Sequence, residues 1–195
     1  GSTPLWQTIL PLLGMLSLLS AGVLMTAQHD LKKILAYTTV GALGLMVSLI
    51  GIGNKYAIQA LLVFMLAHGL YKGALFLVSG SIDHSTGTRD IRVLRGLARK
   101  MPFSFAAAWL AALSMAGIIP LLGFVSKELV YEGGLTVPNN TLLLSMLLVG
   151  NGLMAAGAGW VGFLPFMKQR KISSEIDLKM EEVHEGNLAF WIPPL

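Results

Sequence analysis

His68 and Lys72 lie four residues apart within "FMLAHGLYKGALFL", residues 64–77, a stretch that is otherwise almost wholly apolar. That spacing sets both side chains on one face of a helix. A third ionisable group, Lys127, sits in "GFVSKE", with Glu128 beside it and Glu132 about one turn further on. Lysine withdrawn from water gains and loses a proton far more readily than it does in solution, and a carboxylate brought close restores its hold on that proton. Histidine exchanges near neutrality without such tuning. The chemistry open to this trio is therefore proton transfer: Lys72 as the buried carrier, His68 as its neighbour through water, and Lys127 as a second carrier. Glu128, Glu132 and Lys32 are auxiliary candidates. Packing offers a second reading for each. A membrane histidine also serves as a hydrogen-bonded packing residue. Lys127 also reads as a side chain reaching to the surface from a helix end, and Lys32 and Lys33 as anchors beside the N-cap residue Asp30. Lys72, about fourteen residues into its apolar run, is too deep for that escape.

The elements that must hold these groups are read from hydropathy. Of 195 residues, 54% are hydrophobic and 12% charged, about half the charged fraction of a soluble domain, and the mean hydropathy is +0.70. An all-α integral membrane protein follows. Five runs approach the roughly 20 apolar residues that a spanning helix needs: roughly 5–27, 34–53, 58–80, 103–133 and 141–165. The fourth would reach about 45 Å as one straight helix, against a hydrocarbon core of about 30 Å. Within it "AGIIPLLGF" sets Pro120 between Gly117 and Gly123. Proline removes a donor and crowds the preceding turn, and glycine weakens the helix on either side. The run is expected to be a discontinuous helix, with its free backbone inside a bundle or beside water.

Charge gives the orientation. Lys32 and Lys33 follow the first run, Arg89, Arg92, Arg95, Arg99 and Lys100 the third, and Lys168, Arg170 and Lys171 the fifth. Between the other runs only Lys55 is basic. Loops two crossings apart share a side, so five spans and the positive-inside rule agree: the segment starts outside and ends in the cytoplasm of a multi-pass cell-membrane protein. The basic pI of 9.5 is then topological, and a nucleic-acid partner is excluded. Arg92, Arg95 and Arg99 alternate at helical spacing with Ile91, Leu94 and Leu97, which fits either an amphipathic interfacial helix within the loop 83–101 or a solvated connector capped by Asp90. Gly14, Gly22, Gly41, Gly44, Gly150, Gly157 and the ten methionines are most simply packing residues between membrane helices. Without cysteine, nucleophile triad, nucleotide loop or metal cluster, the reading is a transporter with no cofactor and no metal, not an enzyme. The opening "GSTPLWQ" carries no initiator methionine or signal-peptide pattern, and "FWIPPL" stops as a new apolar run begins. A piece of a longer chain is expected, with 1–165 one repeat and 166–195 a cytoplasmic linker to a following helix.

Taken together, "DLKKILAYTTV" with "ALGL", "AHGLYKGALFLVSG" and "ALSMAGIIPLLGFVSKE" resemble the antiporter-like subunits of the complex I and Mrp superfamily. The resemblance covers nearly the whole segment. It implies one five-helix half of an inverted-repeat fold, whose fourth helix is broken and whose two channel lysines match Lys72 and Lys127. "DHSTGTRDIRVLRGLARKMP" looks like the A subunit of Mrp-type multisubunit sodium/proton antiporters, as does the tail "VHEGNLAFWIPPL". Two departures stand out. Gly41 and Ala42 replace the Ser-x-Gln form common in complex I, and Phe64 stands where family members often carry a second histidine, so the relay on this helix rests on His68. The resemblance implies a proton half-channel coupled to cation extrusion. Its partners would be other antiporter subunits, the bilayer, and protons and sodium as transported ions. A proton-pumping subunit of complex I or a membrane-bound hydrogenase is the alternative, and a structural membrane scaffold a third.

Overall fold

The computed structural model describes residues 4–167, and it is all-helical over that range. The helices are α1 (Pro4–Thr26), α2 (Leu31–Ile52), α3 (Lys55–Thr86), α4 (Pro102–Ala116), α5 (Leu122–Leu135) and α6 (Thr141–Gly162), with one 3-10 turn at Leu97–Arg99. Their ends follow the local chemistry. The Asp30 carboxylate caps α2 by accepting from the amides of Lys32 and Lys33, and Asn54 caps α3 by accepting from Ala57. Left-handed Gly53 and Gly87 close the C-termini of the same two helices, as a residue without Cβ can at no steric cost.

Four helices, α1, α2, α3 and α6, are long and apolar enough to cross a membrane. The run expected as the fourth span is two helices, α4 of 15 and α5 of 14 residues, each short of the roughly 20 a crossing needs. Gly117 and Pro120 lie in the turn between them, whereas Gly123 falls in the first turn of α5. The chain leaves the 3-10 turn into α4 at one end of the bundle. It leaves α5 at the other, where Asn54 Nδ2 donates to Thr136 Oγ1 at 2.7 Å and to the Gly133 carbonyl at 3.4 Å.

Small residues set the helix spacing. Each of the six glycines singled out above lies against a neighbouring helix: Gly14 and Gly44 face each other across α1 and α2, Gly22 and Gly41 meet Leu153 and Met154 of α6, and Gly150 and Gly157 meet Leu18 and Met25 of α1. The buried Ser48 hydroxyl ties the first pair further by donating to the Pro11 carbonyl at 2.8 Å.

The basic loops gather at one end. Leu31 N–H donates to Arg89 O at 3.0 Å and Ile91 N–H to His29 O at 2.8 Å. Lys32 pairs with Asp83 at 3.0 Å, and Arg89 reaches Asp30 at 3.4 Å and Asp83 at 3.7 Å. The amphipathic helix allowed within 83–101 does not form. Residues 83–86 finish α3, Gly96 takes a left-handed φ of 72°, and the amides of Gly96 and Leu97 donate to Met167 O and Pro165 O instead of to a preceding turn. Ile91, Leu94 and Leu97 are buried in the bundle rather than presented to an interface. The stretch is a connector folded around Asp90, which accepts from the Arg92 amide and guanidinium. The basic cluster Lys168, Arg170 and Lys171, and the linker reading of the tail, lie outside the described residues.

Two outcomes test this packing. A Cβ on Gly44 would lie 2.6 Å from the Gly14 carbonyl oxygen and 3.0 Å from Leu18 N, so Gly44→Ala must push α1 off α2. It should cost about 1–3 kcal/mol, read as a lower thermal midpoint of the detergent-solubilised protein. At the loop, the hydrogen bond from Arg92 holds the Asp90 carboxyl below the usual carboxylate range. A depressed carboxyl stabilises fully above its unfolded value, and that contribution is lost as pH falls through the folded one. Protection of the amides of residues 90–94 against hydrogen exchange should therefore fall only below the ordinary aspartate range, and should be weaker already at neutral pH in Asp90→Asn.

Candidate functional site

Lys72 lies near the middle of α3 and is only 5% exposed. Its ammonium turns to α2, donating to the Leu35 carbonyl at 2.8 Å and to the Thr38 hydroxyl. Thr38 Oγ1 lies 2.9 Å from the same carbonyl and 3.1 Å from Ile34 O, so its own proton is directed into the α2 backbone and its lone pairs face the lysine. One turn along α3, the Phe76 ring stands 6.0 Å from Nζ. A buried charge is retained only where dipoles replace lost water, and here main-chain, hydroxyl and aromatic groups all supply that replacement.

His68, half-buried on the preceding turn, hydrogen-bonds the Tyr71 hydroxyl through Nδ1 at 3.1 Å and meets the Tyr71 ring edge-on at 5.3 Å. Phe64, at the position of the missing second histidine, flanks the imidazole with a centroid distance of 5.9 Å. His68 and Lys72 thus share a helix face without bonding each other. Tyrosine is the direct partner of the histidine.

Lys127, partly buried on α5, reaches back across the break and donates to the Ala116 carbonyl at 2.9 Å. That carbonyl ends α4, where the helix exposes unpaired oxygens and the negative end of its dipole. Gly117 makes the approach possible twice over. Its φ of 85° turns the chain out of the helix, and a Cβ there would stand 2.7 Å from Lys127 Cδ. The interruption between α4 and α5 is therefore the binding site of the ammonium as well as a turn.

A small cavity of about 10 Å³ lies between the two sides, with Thr38, Tyr71, Lys127 and Asn151 as its polar lining. Of the three predicted relay residues only Lys127 lines it; Lys72 and His68 stand one hydrogen bond behind its wall, through Thr38 and Tyr71. The auxiliary candidates do not join them. Lys32 belongs to the ion-pair network with Asp83 at the basic end, and Glu128 and Glu132 are exposed on α5. Thr38, Tyr71 and Asn151 were not among the predicted site residues. For Asn151 a signal existed: it is the one side-chain amide in the apolar run 141–162. Among the described residues no group of His, Cys, Asp and Glu side chains is arranged to hold a metal.

Comparison with known proteins gives the arrangement its relatives. Residues 1–154 match the family described as NADH:quinone oxidoreductase/Mrp antiporter, TM. The Na(+)/H(+) antiporter subunit A1 of Staphylococcus epidermidis is 41% identical over 97% of this chain and 26% of its own length, and that of Staphylococcus aureus 39% identical over 70% and 19%. The chain thus spans about a quarter or less of the curated relatives it matches. Among solved structures, the Mrp complex from Dietzia sp. aligns with 80% of this chain at 37% identity and a TM-score of 0.75, covering 18% of the matched chain. The membrane-bound sulfane sulfur reductase, an archaeal respiratory membrane complex, aligns with 97% at 31% identity and a TM-score of 0.84, covering 30%. The chain belongs to the NADH:quinone oxidoreductase/Mrp antiporter membrane family.

Proposed function

We propose that residues 1–165 form a proton-conducting half-channel of a multisubunit sodium/proton antiporter, in which Lys72 and Lys127 are the proton carriers and His68 assists Lys72. The observation that carries this reading is the pair of lysines drawn into the bundle, each bound to a main-chain carbonyl, with a small cavity lined by Lys127 and by Thr38, the hydroxyl partner of Lys72. A lysine at the bilayer centre costs about 2.5–3.5 kcal/mol on insertion scales, so two of them are kept for use. Neither is locked to a carboxylate among the described residues, which leaves each free to exchange its proton.

In this reading α4 and α5 together make one interrupted crossing, the fourth of five, and the turn between them sits at membrane depth. The basic end faces the cytoplasm and residue 1 the outside, with residues from 166 onward leading to a following helix. Other antiporter subunits, and an inverted counterpart of this repeat, cover the exposed apolar faces of α1 and α3. Glu128 and Glu132, exposed on α5, would act only where such a partner or water meets them, and Lys32 only through the ion pairs of the basic end. Sodium extrusion belongs to the assembled complex. A second reading, a proton-translocating subunit of a redox-driven respiratory complex, is favoured by the alignment with the archaeal reductase at a TM-score of 0.84. The identity of 41% to an antiporter subunit favours the first. Sodium-dependent ΔpH in inverted vesicles of an antiporter-deficient host separates the two, since only the first requires sodium.

The chain has no cysteine, so the topology is directly testable. Single cysteines at positions 55 and 92 should label from opposite sides with an impermeant thiol reagent, and same-side labelling would remove the five crossings. For the carriers, Lys72→Ala and Lys127→Ala should abolish transport with the complex still assembled. Lys72→Arg should fail as well, because guanidinium keeps its proton throughout the accessible pH range. His68→Ala should slow transport and shift its pH profile without eliminating it. Wild-type antiport in Lys72→Arg would exclude proton exchange at this lysine, and full activity in both alanine variants would leave a structural scaffold.

A further inference from the structure

Asn151 of α6 is 6% exposed, and its Nδ2 has no hydrogen-bond partner among the described residues. Leaving a buried polar group unpaired is costly, and native proteins resolve most such cases with another side chain or an ordered water. The cavity that Asn151 lines decides between these. At about 10 Å³ it is close to the roughly 10–15 Å³ that a single water occupies, and a buried water needs about two to four polar partners. Asn151, Thr38, Tyr71 and Lys127 supply four polar side chains around one space. Leu18, Ala42, Leu45, Phe64, Met115 and Met154 make up the rest of the lining.

We infer that this cavity is a single-water site in which the Asn151 amide holds and orients the water joining Lys127 to the Lys72–His68 side. The inference rests on the half-channel reading and adds a member to it from a helix that carries no titratable group. The water takes a proton from the Lys127 ammonium and releases one of its own toward the Thr38 or Tyr71 hydroxyl. Either hydroxyl accepts that proton and passes on its own: Tyr71 to the imidazole of His68, or Thr38, once its proton turns from the α2 backbone, to the free amine of Lys72. The water ends neutral, one lysine has lost a proton and the other side has gained it, and the reverse transfer uses the same bonds. Asn151 exchanges no proton. It is a positioning residue, useful because an amide donor takes one lone pair of the water whichever lysine is charged, and so keeps the water in place while its other lone pair and its hydrogens change sides.

The test uses the full-length subunit in its assembled antiporter complex, reconstituted in proteoliposomes with proton flux as readout and native gels for assembly. Asn151→Leu, similar in volume but apolar, should slow proton flux about tenfold, the loss of one hydrogen bond to the water. Asn151→Ser keeps a donor and should stay within about threefold of wild type, which is less than half of that barrier change. Asn151→Leu at the wild-type rate, or Asn151→Ser as slow as Asn151→Leu, overturns the inference. Should the leucine variant fail to assemble, Asn151→Ala replaces it: slower than Asn151→Ser supports the water site, and equal rates refute it. Lys72→Ala measured in parallel keeps the two readings apart. Flux surviving that substitution removes the half-channel reading itself, whereas flux lost there but intact in Asn151→Leu removes only the water site.

Discussion

A cation inside an apolar bundle must be solvated by whatever the bundle can spare, and here that is the backbone. Lys72 ends on the carbonyl of Leu35 and Lys127 on that of Ala116. An α-helix has few carbonyl lone pairs to give, and this constraint organises the structure around it. For Lys72, a threonine hydroxyl beside the carbonyl completes the shell, which requires α2 and α3 to approach closely at Thr38. For Lys127, the carbonyl is freed by ending the helix, which requires the interruption at Gly117. Neither arrangement survives a rotation of α2, or of α4, by a single residue.

The close approach has its own requirement. The α1–α2–α6 side is spaced by glycines facing methionines and leucines, so α2 is held from behind while its Thr38 face meets Lys72. Unbranched methionine fills what the glycines leave, as at Gly41 against Met154 and Gly157 against Met25. At the basic end, a different adhesive takes over: Asp30, Asp83 and Asp90 hold Lys32, Arg89 and Arg92. Exposed pairs of this kind contribute little each, but the backbone bonds of Leu31 and Ile91 to the facing loop fix the register that lets them meet.

Much of this was legible in the sequence because hydrophobicity and burial coincide in a membrane protein. Helix positions, the glycine contacts and the depth of Lys72 all follow from run length and spacing. What escaped was partner choice. The i, i+4 spacing set His68 and Lys72 on one face as neighbours through water, but it named the partner of neither: the lysine stem reaches across to the next helix while the imidazole turns to Tyr71, three residues on. Nothing in spacing along one helix reveals a carbonyl on another. The arginine-rich loop left two readings open, and what decides for the connector, the bonds of Gly96 and Leu97 to Met167 and Pro165, is tertiary. Asn151 was visible as an amide in an apolar run, and only the fold shows the space it lines.

Helix α3 runs unbroken for 32 residues, about 48 Å at about 1.5 Å per residue. It contains no proline, and it stays helical without interruption through Gly73 and Gly80, between Lys72 and Asp83. Lys72 lies at its middle, and Asp83, the residue gripped by both Lys32 and Arg89, lies about three turns further along. A rod without a hinge turns as a whole. Any force that draws Asp83 away from its two cations is therefore delivered, as torsion and axial sliding, to the ammonium that sits against Leu35 and Thr38. The surface ion pairs are in mechanical series with the buried charge, and the stiffness of one helix sets how faithfully the far end reports to the centre.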